Sequence, residues 1–89
     1  MDINYELYKV FYYVASTLSF SEASKQLFIS QSAVSQSIKA LEKKLDQTLF
    51  IRSTKKVRLT TEGEILLRHI EPAISLIKRG ESQLLDVGV

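Results

Sequence analysis

Ser21–Leu45, SEASKQLFISQSAVSQSIKALEKKL, is the stretch whose reading decides the fold. In its second part Val34, Ile38, Leu41 and Leu45 recur at spacings of four, three and four, the signature of one helical face. Ser30 stands before the first of them and has a side chain suited to capping a helix start, so a helix is predicted from Ser30 to about Lys44. In the first part Ser21 is the predicted cap of a short helix that ends near Leu27, buries Ala23 and Leu27, and has Phe20 packed beneath it. Two helices joined by so tight a turn form a helix-turn-helix unit. The face of the second helix opposite its apolar stripe carries Gln31, Ser32, Ser35, Gln36 and Lys39.

Upstream, Leu7, Val10, Phe11 and Val14 form an amphipathic stripe that predicts a helix over Asn4 to Ser16, with Asn4 as cap and Glu6 in its first turn. Downstream the pattern changes. Leu49 to Ile51 and Val57 to Leu59 read as two short strands around Ser53–Lys56, which makes a hairpin, or wing, with a basic tip. A long last helix follows, capped by Thr60 or by Thr61 with Glu64 as a capping box. Leu66, Ile70, Ala73, Ile74, Ile77 and Leu84 give that helix a near-heptad stripe that needs a partner. Pro72 lies within it and predicts a kink or a boundary between two shorter helices, and Gly80 a further loosening. The fold class expected is therefore mainly α: three helices, a two-stranded wing and a long C-terminal helix.

Composition narrows the function. Eighty-nine residues suffice for one core, and 45% hydrophobic with 25% charged residues describes a folded globular chain. The chain has no Cys and one His, so neither a disulfide nor a zinc site is expected, and no metal or cofactor. Its N-terminus carries Asp2 and Glu6 and no long apolar run, so no signal peptide or membrane span is read there and the expected location is the cytoplasm. A net charge of +2 implies little, but Lys39 to Arg58 holds seven Lys and Arg against Glu42 and Asp46, a local +5.

An exposed row of Gln and Ser at a helix start suits the DNA major groove, where Gln reads adenine through N6 and N7 and Ser donates to phosphates or base edges. A polar helical face is also what ordinary solvated surface looks like. The wing supplies the second signal: Arg52, Ser53, Lys55, Lys56 and Arg58 crowd one small protrusion, where like charges repel unless an anion lies nearby. Charged hairpins also serve to block sheet-edge association. The wing's place directly after the candidate recognition helix favours the nucleic-acid alternative.

These residues resemble a known family, the N-terminal domains of LysR-type transcriptional regulators. The resemblance runs from about Asn4 to Leu67 and rests on Leu7, Tyr8, Phe11, Val14 and Ala15; Ser19, Phe20, Ser21, Ala23, Ser24 and Leu27; and Ser30 to Ser35. It continues through Ile38, Leu41, Glu42, Leu45, Leu49, Phe50 and Arg52 to Val57–Thr60, Glu62 and Gly63. The resemblance implies a winged helix-turn-helix over 1–60 and a linker and dimerisation helix over 61–89. The effector-binding domain would lie outside this chain, which then reads as an isolated DNA-binding fragment. It implies that Gln31, Ser32, Ser35 and Gln36 meet the groove or its phosphates and that Arg52 lies at the wing. It also implies a homodimer through the long helix, a tetramer in a full-length protein, and an imperfect palindromic operator on double-stranded DNA. The family often has Pro where this chain has Ser32, and usually Arg where it has Gln36. Gln in place of Arg exchanges a guanine reader for an adenine reader, so an A·T-rich step is expected there.

Two other classes compete with DNA binding. An enzyme would have to use His69 as its base, on the long helix and without a Cys or Gly-rich loop in support. A protein-docking module would use Tyr5, Tyr8 and Tyr12, which sit at helical spacing, although such aromatic stripes more commonly pack on a dimer helix or on the rim of the core.

Overall fold

The computed structural model describes residues 4–87. Its order is α1 (Tyr5–Thr17), α2 (Phe20–Leu27), α3 (Gln31–Leu45), β1 (Phe50–Arg52), β2 (Val57–Leu59) and α4 (Thr61–Val87). This is the mainly helical, winged helix-turn-helix arrangement expected.

The first three helices start on polar caps and end on left-handed residues. The Asn4 side chain accepts from the Glu6 amide at 3.1 Å and the Ser30 hydroxyl from the Ala33 amide at 3.0 Å, as expected. At α2 the cap is Ser19, whose hydroxyl accepts from the Glu22 amide at 3.0 Å, and not Ser21. The reason lies in Phe20: its ring is buried in the core, so the backbone must already be helical there and the extended cap residue is displaced to Ser19. Leu18, Phe28 and Asp46 close α1, α2 and α3 at φ of 52°, 57° and 54°. A residue with a Cβ pays roughly 1–2 kcal/mol for that conformation, least for Asp, and the return is capped helix carbonyls and sharp corners.

Those corners bring three apolar stripes together. Val10, Phe11 and Val14 of α1, Phe20 and Ala23 of α2, and Val34, Ile38 and Leu41 of α3 form one buried cluster with Leu49 and Phe50. Phe50 is its aromatic centre, with ring centroids 5.4 Å from Phe11 and 6.1 Å from Phe20.

The hairpin is antiparallel, with Phe50 opposite Leu59, Ile51 opposite Arg58 and Arg52 opposite Val57. Leu49 falls outside β1, one residue later than the expected strand start. Its amide donates at 2.7 Å to the Glu42 carboxylate, which the Phe50 amide also approaches at 3.4 Å, so α3 holds the base of the wing. The tip is closed by the Ser53 amide donating to the Lys56 carbonyl at 2.8 Å.

Thr60, and not the box of Thr61 with Glu64, caps α4. Its hydroxyl accepts from the Gly63 amide at 3.0 Å and donates to the Thr48 carbonyl at 2.6 Å, a bridge back to the wing base that Thr61 does not provide. A Cβ at Gly63 would collide with the Leu49 carbonyl oxygen and lie 2.9 Å from Leu59 Cδ2, which is why the helix can start so close to the sheet. From there α4 is one helix through Pro72, with no boundary into two. Twenty-seven residues at the usual rise make it about 40 Å long, most of the molecule's 49 Å extent. No helix among the described residues is long and apolar enough to cross a membrane.

Candidate nucleic-acid interface

The register of α3 separates its two sides. Val34 and Ile38 are buried, while Ser30, Gln31, Ser32, Gln36 and Lys39 are exposed and Ser35 is half-buried. Gln31, Ser32, Ser35 and Gln36 together line one shallow hollow on the outer surface. Lys39 stands apart from that hollow. It borders a smaller one with Ser35, Glu42 and Arg52.

A wider groove runs from the start of α3 to the wing, and Gln31, Ser21, Ser53, Lys55 and Lys56 all line it. Gln31 therefore belongs to both depressions and joins the polar row to the basic tip. Ser19 and Ser21 at the start of α2 also line this groove, a place that neither the capping pattern nor the resemblance assigns them. Nothing in local spacing tells that the start of α2 turns toward the wing.

The wing cations are not one patch. Side chains alternate across a strand, so Arg52 shares the side of Phe50, whereas Arg58 pairs with Ile51 on the other face of the hairpin. Lys55 and Lys56 sit at the turn. The Arg52 guanidinium carbon lies 3.8 Å from the Phe20 ring centroid, and Nη1 donates to Ser35 Oγ at a long 3.4 Å. Glu42, which the sequence presents as a charge against the basic segment and as part of the family resemblance but with no structural role, is the residue that fixes the wing base on α3. Its signal was its position one residue after Leu41, at the edge of the buried stripe.

The stripe of α4 divides in two. Leu66 and Ile70 are half-buried against the core and Ile74 is only 4% exposed, whereas Ile77 is 45%, Leu84 75% and Leu85 74% exposed. Ala73 is exposed beside them. Tyr5 and Tyr8 of α1 face Ile70, Ala73, Ile74 and Ile77 across an apolar groove. Tyr12 does not join it; its ring packs edge-on against Tyr13 at 5.7 Å. His69 is exposed on α4 with Nδ1 3.0 Å from the Ile65 carbonyl, where it can only donate. No group of His, Cys, Asp and Glu among the described residues could hold a metal ion.

A family model described as bacterial regulatory helix-turn-helix protein, lysR family, matches residues 5–64. The HTH-type transcriptional regulator PerR of Escherichia coli (strain K12) is 42% identical over 74 residues, 83% of this chain and 25% of that protein. The chain thus spans about a quarter of such relatives. The CbnR_DBD–DNA complex superimposes with a TM-score of 0.81 at 25% identity, covering 98% of this chain and all of that one. The Corynebacterium glutamicum OxyR C206S mutant, H2O2-bound, gives a TM-score of 0.87 at 31% identity over 94% of this chain and 27% of that one.

Proposed function

This chain belongs to the lysR family of bacterial regulatory helix-turn-helix proteins, and from that premise we propose that it is the DNA-reading part of a cytoplasmic transcriptional regulator that acts as a homodimer on double-stranded DNA. The observation that carries the proposal is the junction at Gln31, where an exposed Gln and Ser row meets a groove bordered by the cations of the wing tip. A solvated helix face needs no such neighbour. A helix laid in the major groove beside a phosphate backbone does.

The labour divides by chemistry. Gln31, Ser32, Ser35 and Gln36 face base edges, with Ser30 and Lys39 at the flanks, and supply discrimination. Lys55, Lys56, Arg58 and Ser53 meet phosphates or the minor groove and supply affinity blind to sequence, while Arg52 lies between the two sets. Residues 1–60 form the reading unit and 61–89 the pairing segment, whose helix, described as far as Val87, is tied to the core by Leu66 and Ile70. The exposed Ala73 and Ile77, continuous with the groove at Tyr5 and Tyr8, are the ground for pairing two copies. Two-fold pairing places two α3 helices on one side of the duplex, so the half-sites are inverted and about 34–36 Å apart, or a multiple of that. A complete regulator would add an effector domain and could assemble four copies. No step of this function asks for catalysis.

Selection from a random duplex pool tests the proposal. Lys55→Ala with Lys56→Ala, which removes four cations from a dimer, lowers the slope of log affinity against log salt by about three to four without changing the selected sequence, whereas Gln31→Ala changes the sequence and leaves the slope. Failure of the chain to bind any duplex at low salt would refute the DNA reading, and identical effects of the two variants would refute the division of roles.

A further inference from the structure

Arg52 differs from the other wing cations because its head group is already engaged. Its guanidinium lies 3.8 Å from the centroid of the Phe20 ring, and that ring is itself held edge-on to Phe50 in the core. From this seat Nη1 reaches across to Ser35 Oγ at 3.4 Å. One side chain of β1 thus spans from the ring of α2 to the half-buried serine of the α3 polar row.

We propose that Arg52 is a positioning residue that couples the wing to α3 and sets Ser35 as a hydrogen-bond donor toward the duplex. The proposal rests on the DNA-binding role argued above and refines it. A serine hydroxyl has one hydrogen and two lone pairs. A guanidinium has donors only, so Ser35 Oγ must accept from it, and the hydroxyl hydrogen is turned away from the positive head. Outward, such a donor meets acceptors in the major groove: guanine N7 and O6, adenine N7 or thymine O4. The cytosine amino group offers it no acceptor. Arg52 therefore contributes to base choice through Ser35, in contrast to Lys55 and Lys56, whose charge alone is used at the backbone.

Arg52→Lys separates the two roles, because lysine keeps the charge and loses the planar head that stacks and forks. The expected result is roughly tenfold weaker binding of the selected duplex, the scale of the hydrogen bond that an unpositioned Ser35 in each subunit no longer makes to DNA. The sequence preference opposite Ser35 relaxes while the salt slope stays that of the unaltered chain, and in a Ser35→Ala background the same change relaxes the preference no further. If Arg52→Lys binds and selects as the unaltered chain does, and Arg52→Ala lowers the salt slope by about two, one for each subunit of a dimer, Arg52 is a simple phosphate cation and the proposal fails. The stack has its own readout without DNA: the Arg52 Nε–H resonance is displaced by the Phe20 ring current from its position in the urea-unfolded chain. An undisplaced resonance overturns the proposal even where the duplex is bound, whereas a displaced one in a chain that binds no duplex places the failure in the DNA-binding role.

Discussion

The third helix and the wing stand side by side on one surface and are held there by different forces. Val34, Ile38 and Leu41 sink α3 into the core, so its outer row is aimed by close packing that changes little with small perturbations. The wing has three-residue strands and buries only Phe50 among its strand residues. It is aimed by directional polar contacts: the Glu42 carboxylate on the Leu49 amide, the Thr60 hydroxyl on the Thr48 carbonyl, and Arg52 on Phe20. A helix anchored by burial thus stands beside a hairpin held largely by directional polar contacts, and the two should respond differently to local substitutions.

The largest expected effect breaks both at once. Leu41 is fully buried in the cluster shared by all three helices and Phe50, so Leu41→Ala should cost about 2–5 kcal/mol in chemical denaturation, with α3 and the wing melting together. Separate transitions for the two would show that they are not one cooperative unit. Glu42→Ala should cost less, about 1–3 kcal/mol, because it strips a charged acceptor from the Leu49 amide in a partly buried place. Its mark is local: amide exchange at Leu49 and Phe50 accelerates while that of Ile38 and Leu41 follows the global stability, and uniform acceleration would contradict the contrast drawn above. Smallest is Phe28→Gly, at the corner between α2 and α3. The ring is 93% exposed and its φ is 57°, so glycine removes strain and little packing, and thermal unfolding should shift upward by the equivalent of about 0.5–1 kcal/mol. A drop in stability would mean that the Phe28 ring contributes to the fold despite its exposure.

Local pattern carried much of this molecule. The caps at Asn4 and Ser30, the buried stripe of α3 and the exposed Gln31, Ser32 and Gln36 were all legible, since each depends on residues within about two helical turns. The details that local pattern misread or left open share a cause. Ser19 replaces Ser21 as cap because Phe20 is drawn into a core built by α1, α3 and β1. Of the two caps open for α4, Thr60 is the one used, because its hydroxyl meets Thr48 across the hairpin. Leu49 leaves β1 because Glu42, seven residues earlier, takes its amide.

The amino-acid order alone determined which residues form helices, which side of α3 is apolar, and where basic residues gather, because periodicity, capping chemistry and charge are properties of neighbours along the chain. Only the tertiary structure decided that Arg52 lies over Phe20 while Arg58 is on the other face of the hairpin, that the start of α2 borders the wing groove, and that Leu66, Ile70 and Ile74 of the α4 stripe are covered while Leu84 is bare. Those outcomes follow from strand pleat and helix corners acting between residues far apart in sequence, and no spacing within one segment encodes them.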